Sequence, residues 1–378
     1  YIKRTPLSTY RAQKRGGKGR SAMSIKEEDF VRQVFVLNTH DPVLFFSTTG
    51  IVYELKVYKL PLGAPQAKGR PIVNLLPLDE AEQVTTMMPL PSDNENSPDL
   101  MFATKSGNVR RNALADFSNI QANGKIAMKL KGGDSLVGVV PCMKDEDILL
   151  SASKGKCMRF RSHDVRLFKG RGSIGVRGIR LKKDDFVISI SVLRHIETDI
   201  DTRTLYLKAA TAKRREEKQE YMPDKDFEEM NLNDQYILTV VENGFGKRTS
   251  AYEYRITNRG GQGIINIETS ERNGSVIGSF PVEDSDDVML VTNAGRIIRS
   301  PVKDIRIASR NTQGVTLFSI EKGETVVSVT AISTSEEEQE NIDSESVESE
   351  NIDSESVESE NIDSESVESD NNDEEGDG

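Results

Sequence analysis

Tryptophan is absent from the 378 residues, and there are only two cysteines and three histidines. Each scarcity removes a class. Without tryptophan, the blades of a WD-type propeller are excluded. Cys142 and Cys157 cannot build a disulfide framework and fit a reducing cytosol. His40, His163 and His195 stand singly, so a His/Cys metal site is not expected. No stretch reaches the roughly 18 apolar residues of a membrane helix, and no secretory signal is visible. The chain opens on Tyr1 rather than methionine and reads as a fragment.

Basic residues are missing from one region only. From Ile332 to Gly378 there are 20 acids and no Lys or Arg. The formal net charge of −11 is therefore an average: residues 1–331 hold 50 bases against 41 acids and carry +9. A basic body joined to an acidic tail points to nucleic acid. The tail holds a tandem decapeptide, Asn341–Glu350, Asn351–Glu360 and Asn361–Asp370, the last with one terminal change. Rich in Ser, Glu and Asp and without aromatics, 332–378 cannot bury a core and is expected to be disordered. It serves either as a solubilising tail or as a tethered competitor for the basic body.

What is present is a repeat. A short apolar run, a turn, a glycine and a second run recur at Val43–Tyr53, Leu100–Arg110, Ile148–Arg159, Tyr236–Arg248 (aligned on Gly246) and Val288–Arg299. These read as β-hairpins. A second glycine follows each and opens another short run: Gly69, Gly124, Gly175, Gly263 and Gly314, with Gly19 in the equivalent place earlier. The spacings are 50, 55, 51, 88 and 51 residues. About four strands in roughly 50 residues is the period of a propeller blade. The long interval contains a polar insertion, 194–233, in which Leu205–Ala210 and the charged run Lys213–Glu220 favour helix. Tyr1–Arg4 matches the strand after a hairpin glycine, so the first of six blades is incomplete.

The segment around each second glycine carries cations: Lys14, Arg15, Lys18 and Arg20 in the first repeat, then Lys68 and Arg70, Lys125, Lys169 and Arg171, Arg259, and Arg310. One topological position in every blade predicts a belt of basic loops, which suits the phosphates of a bent duplex read without base contacts. The glycines among them, Gly16, Gly17 and Gly19, let backbone N–H groups approach an anion. No Gly-Lys pair is followed by Ser or Thr, so no nucleotide-binding P-loop is present, and no cofactor is expected. No catalytic triad, zinc-protease motif or nucleophile elbow is visible. The acid pairs Asp184-Asp185 and Asp286-Asp287 read as turn and strand-edge residues.

At these residues the chain resembles the C-terminal domain of the bacterial DNA gyrase A protein. The family's hallmark heptapeptide, Gln-Arg-Arg-Gly-Gly-Lys-Gly, stands here as Gln13-Lys14-Arg15-Gly16-Gly17-Lys18-Gly19, with Lys14 in place of Arg. Gly69–Leu78, Gly175–Leu181, Glu271–Gly274 and Arg310–Val315 extend the likeness over residues 1 to about 331, apart from the insertion. The resemblance implies a six-bladed β-pinwheel, an all-β fold whose blades exchange strands. It implies a domain that wraps duplex DNA, enabling ATP-dependent negative supercoiling by DNA gyrase in the cytoplasm. Its partners would be the rest of the gyrase A protein and the gyrase B protein in an A2B2 heterotetramer. The catalytic tyrosine and the ATPase lie elsewhere in that assembly, so Tyr1, Tyr10, Tyr53 and Tyr58 are not the nucleophile. Two alternatives stand beside this reading: the equivalent topoisomerase IV domain, against which the nearly intact heptapeptide speaks, and a propeller scaffold for acidic proteins.

Overall fold

The computed structural model describes residues 1–6, 9, 35–64, 67–90, 97–217, 221–321 and 323–333. The heptapeptide Gln13–Gly19, Arg20 and the chain from 334 onward lie outside the described residues.

Each of the third to sixth repeats contributes a hairpin, a third strand and a two-residue strand that leaves home. The second repeat supplies β1 (Pro42–Ser47), β2 (Ile51–Lys56) and β3 (Val84–Pro89). The third supplies β4 (Asp99–Thr104), β5 (Asn108–Ala113), β6 (Lys125–Ile126) and β7 (Leu136–Cys142). The fourth supplies β8 (Glu146–Ala152), β9 (Lys156–Arg161), β10 (Val176–Arg177) and β11 (Val187–Arg194). After two helices, the fifth supplies β12 (Tyr236–Val241), β13 (Phe245–Ser250), β14 (Ile264–Ile265) and β15 (Val276–Val282). The sixth supplies β16 (Asp286–Thr292), β17 (Ile297–Pro301), β18 (Val315–Thr316) and β19 (Val326–Ser333). β19 carries the sheet two residues past the boundary expected at 331.

The short strand always pairs backwards. The sheet orders are β3-β1-β2-β6, β10-β5-β4-β7, β11-β8-β9-β14 and β15-β12-β13-β18, so each of the third to sixth repeats donates its short strand to the sheet before it. The sixth repeat's sheet, β17-β16-β19, has three strands among the described residues. The incomplete first repeat enters as expected: Ile2 bridges Arg70 just after Gly69, with N···O distances of 2.9 and 3.0 Å.

This exchange explains why glycine marks the repeat. Gly175 has φ +78°, and a Cβ there would lie 2.3 Å from the Val109 carbonyl oxygen of the receiving strand. Left-handed backbone and the close approach together exclude any other residue. The hairpin glycines are likewise left-handed, and they correct one alignment. In the fifth repeat the turn glycine is Gly244, with φ +75°; Gly246 lies inside β13. The two are separated by one residue in an Asn-Gly-Phe-Gly run, so spacing alone mistook the second for the first.

β3, β7, β11, β15 and β19 touch one another in succession. They form the inner edge of successive sheets and leave the donated strands on the outer edge. Where a sheet is sandwiched between neighbours, its central strands are buried on both faces, as in the iBBBBB pattern of β1, β4 and β12. The cores lie between blades. Leu44, Phe46 and Val52 meet Leu100, Phe102 and Phe117 across the second and third sheets, with Phe46 edge-on to Phe102 at 5.6 Å. Met101, Val109, Ile148 and Phe160 do the same across the third and fourth.

The insertion folds into α1 (Ile200–Arg214) and α2 (Asp224–Asn233). α1 begins earlier than Leu205 because Asp199 caps it, accepting from the backbone N of Asp201 and Thr202 at 2.9 Å. It ends at Arg214, so Arg215, Glu216 and Glu217 of the charged run do not continue it. The second helix carried no signal strong enough to be read from sequence. Tyr206 is buried between Phe227 of α2 and Tyr252 of the fifth repeat, at 5.4 and 4.9 Å between ring centroids, which seats both helices on that blade. Among the described residues no helix is long and apolar enough to cross a membrane.

Candidate nucleic-acid interface

The cationic loops precede the donated strands and so lie along the outer edges of the sheets. In the later repeats they are joined directly. The Gly260 amide donates to the Gly178 carbonyl, and the Arg180 amide donates to Gly261 O at 2.7 Å. Between the fifth and sixth repeats the Glu268 amide reaches Thr312 O at 3.0 Å, and Asn273 Nδ2 reaches Gln313 O at 3.0 Å. Neighbouring loops therefore form one hydrogen-bonded band from about Gly175 to Gly314.

Not every cation of the repeated loops is free. Lys169 and Arg70 are exposed. Lys68 sits half-buried, its Nζ 4.4 Å from the centroid of the Tyr1 ring. Lys125 donates to Asn119 O at 3.0 Å while staying half-exposed. Arg171 is half-buried, with Nη1 lacking a partner. Arg259 is spent on the protein: Nε donates to Asp164 O at 3.0 Å and Nη1 to Arg177 O at 3.1 Å, so it ties the fifth loop to the fourth. Arg310 is tied likewise, Nη1 to Ile265 O at 2.6 Å and its backbone N to Glu253 at 2.9 Å. These two arginines fix the band and add field, with part of each guanidinium turned onto the protein. Lys14, Arg15, Lys18 and Arg20, with Gln13, Gly16, Gly17 and Gly19, are outside the described residues.

Two buried cations beneath the band escaped the sequence reading. Arg110 on β5 is fully buried. Its guanidinium donates to the carbonyls of Gly170 and Arg171 and to Ser173 O, at 2.9 Å for the last. Asn112 Nδ2 adds Phe168 O at 3.1 Å and Gly170 O at 3.0 Å. Lys247 on β13 repeats the device, donating to Ser309 O, to Arg310 O at 2.7 Å and to Thr312 Oγ1 at 3.1 Å. Each buried cation turns the negative ends of loop peptides inward and leaves a positive charge just under the surface. Burial pushes the Arg110 guanidinium down to about 10 and the Lys247 ammonium down to about 8. The signal was present: a base three residues after the hairpin glycine, at Gly107 and Gly244.

The next residue explains the basic ends of the second runs. Arg111, Arg159, Arg248 and Arg299 stand four residues after their hairpin glycines, and Arg4 stands two after Ile2 in the same register. Arg4, Arg159 and Arg248 clasp the next repeat, whereas Arg111 and Arg299 face acids of their own sheets. Arg159 is paired with Asp147 (both buried; 2.8 Å) and donates to Ala251 O at 2.8 Å in the next repeat. Arg248 reaches Ile305 O at 2.7 Å, and Arg4 reaches Leu60 O at 3.0 Å, again one repeat on. Arg299 pairs with Asp287, with Nε at 2.6 Å, which places that acid at the strand edge as expected. Asp185 is a turn residue, accepting from Ser153 Oγ at 2.9 Å and the Lys154 amide at 3.0 Å. Cys142 and Cys157 are free, and burial pushes both thiols up to about 12, so they are inert core residues.

The model of the DNA gyrase C-terminal domain, beta-propeller, matches residues 1–38, 41–91, 98–143, 146–194, 235–283 and 286–333. The chain belongs to this family. The six matched segments are the six repeats, and the gap between the fourth and fifth is the helical insertion. The chain is 51% identical over 357 residues to the DNA gyrase A protein of Rickettsia bellii (strain RML369-C), covering 91% of this chain and 39% of that protein. It is 39% identical over 345 residues to the DNA gyrase A protein of Escherichia coli (strain K12), covering 91% of this chain and 35% of that protein. The chain thus spans about two fifths of the length of the curated relatives it matches. Among solved structures, the C-terminal domain of DNA topoisomerase IV superposes with a TM-score of 0.71 at 22% identity, over 90% of this chain and 92% of that one. The DNA gyrase A C-terminal domain superposes with a TM-score of 0.59 at 24% identity, over 88% and 96%. Both share the gyrase-type pinwheel fold, and at these identities the likeness speaks to fold alone.

Proposed function

We propose that this domain binds duplex DNA without reading its sequence and bends it along the outer edge of the blades, as the wrapping module of a DNA gyrase. In that assembly the strand-cleaving tyrosine and the ATPase belong to other parts, and the gyrase B protein and the rest of the gyrase A protein are the protein partners. The domain itself performs no covalent step and works in the cytoplasm. Two observations support the reading: the sequence repeats a cation at one position in each blade, and the loops of the fourth to sixth repeats are hydrogen-bonded into one band. Bending a 20–30 bp site by 40–90° costs about 1–6 kcal/mol, which many weak phosphate contacts offset collectively. The heptapeptide Gln13–Gly19 carries the densest run of cations and anchors the duplex. The longer band holds its curvature.

The test is relaxation of circular DNA with the domain bound, reading the sign and number of trapped turns. Wrapping traps turns of one sign in proportion to bound domain. The Arg15→Ala, Lys18→Ala double variant is expected to lose that signal while keeping most of its affinity for short linear duplex. Undisturbed topology with the native domain bound refutes wrapping.

A further inference from the structure

The helical insertion is not required to build a blade, yet it encloses a cleft. A space of about 890 Å³ lies between the end of β9, the start of the insertion and the segment after Tyr252. Five arginines line it, Arg159, Arg161, Arg194, Arg203 and Arg255, against only two carboxylates, Asp164 and Glu197. Arg159 is spent on Asp147. Arg161 pairs with Glu197 at 2.8 Å, and the same carboxylate faces His195 Nε2 at 3.0 Å. That leaves Arg194, Arg203 and Arg255, whose guanidinium groups have no partner among the described residues. Arg194 and Arg255 are exposed and Arg203 is half-buried.

This placement is selective. Residues 194–233 hold ten acids and eight bases, so the insertion is not a basic arm. Its acids Asp224, Asp226, Glu228 and Glu229 ride on α2, and of that helix only Asn233 reaches the cleft. The base of the cleft is rigid. Tyr206 Oη donates to Asp234 at 3.0 Å, Tyr252 Oη donates to Met230 O at 3.2 Å, and the Arg194 amide donates to Gln235 Oε1 at 2.7 Å. The cleft also adjoins the cationic band. Thr257 and Asn258 line it, immediately before Arg259, and Arg259 Nε is held by the carbonyl of Asp164, another lining residue.

We infer that the insertion is a DNA-contact element. The cleft takes the sugar–phosphate backbone of duplex DNA as it passes between the fifth and fourth loops, with Arg194, Arg203 and Arg255 each neutralising a phosphate. Three unpaired cations in one concave surface repel one another, and a polyanion relieves that repulsion while releasing its own counterions. This rests on the DNA-wrapping reading above.

The test compares the native chain with the Arg194→Gln, Arg203→Gln, Arg255→Gln variant in duplex binding from about 50 to 300 mM salt. Matched melting curves establish that the fold is kept. Each phosphate contact contributes about 0.9 to the slope of log affinity against log salt, so the variant slope is expected to be shallower by about 2 to 3. An unchanged slope beside a steep native slope overturns the insertion's role and leaves wrapping intact. A flat native slope overturns the DNA-binding reading itself. A variant that keeps the native DNA slope but loses binding to polyglutamate overturns the inference in favour of an acidic protein.

Discussion

Lys247 offers the sharpest check on the buried cations, because its charge is detectable through pH. Its ammonium is fully buried under the sixth loop, with two carbonyls and one hydroxyl as partners and no carboxylate in contact. Burial lowers its value from 10.5 to about 8. A group with a depressed folded value favours the folded state fully above the unfolded value, and loses that contribution as pH falls through the folded one. At 1.36 kcal/mol per pH unit, the interval between about 8 and 10.5 corresponds to about 3 kcal/mol. Lys247→Met keeps the volume and removes the titration. Urea unfolding followed by far-UV circular dichroism, apt for a chain without tryptophan, then gives both stabilities at pH 7 and pH 10.5. The native chain should gain about 3 kcal/mol relative to Lys247→Met across that interval. At pH 7 the sign is set by two opposing effects: relief of a buried charge, and the loss of hydrogen bonds that leaves carbonyls unpaired at about 1–3 kcal/mol each. Parallel pH profiles for the two proteins would refute the argument that a charged lysine holds this loop.

Other expectations are simpler. Arg159→Met leaves Asp147 buried without its main partner and should cost about 3–5 kcal/mol, with much of the loss recovered in the Asp147→Leu, Arg159→Met double variant; equal losses in both would deny the clasp. Asp234 is pushed up from 3.8 to about 6, chiefly by burial. Its contribution is present below 3.8 and fades as pH rises through 6, so the native chain should lose about 2 kcal/mol relative to Asp234→Asn between pH 4 and pH 7, measured by urea unfolding. Removing residues 335–378 should tighten duplex binding at low salt and change little at high salt, and an unchanged low-salt affinity would rule out the tail as a competitor.

Much of the fold was legible because glycine is demanded by backbone geometry. Gly69, Gly124, Gly175, Gly263 and Gly314 recur wherever a left-handed residue passes within van der Waals contact of a neighbouring strand, so their spacing alone located the repeats and the insertion. The short apolar runs between them were legible for a related reason, since strands sandwiched between blades are buried on both faces. The error at Gly246 came from two glycines competing for one turn. The second helix was missed because α2, with buried Phe227 and Met230 among acids, exposes too little apolar pattern to be seen.

The candidate interface divides differently. Sequence by itself determined that cations recur at one position, that the tail is purely acidic, and that the chain resembles the family to which it belongs. Tertiary structure alone decided which cations are available. Arg259 and Arg310 look like Lys169 in the sequence, yet their guanidinium groups are tied to carbonyls of other repeats. Arg110 and Lys247 looked like strand ends, yet they support the loops from beneath. Arg194, Arg203 and Arg255 lie as far as 61 residues apart in the chain and share a cleft. The physical reason is range. A glycine's backbone conformation and a strand's apolar pattern are properties of a few consecutive residues, whereas the partner of a charged side chain is supplied by whatever the next blade brings against it.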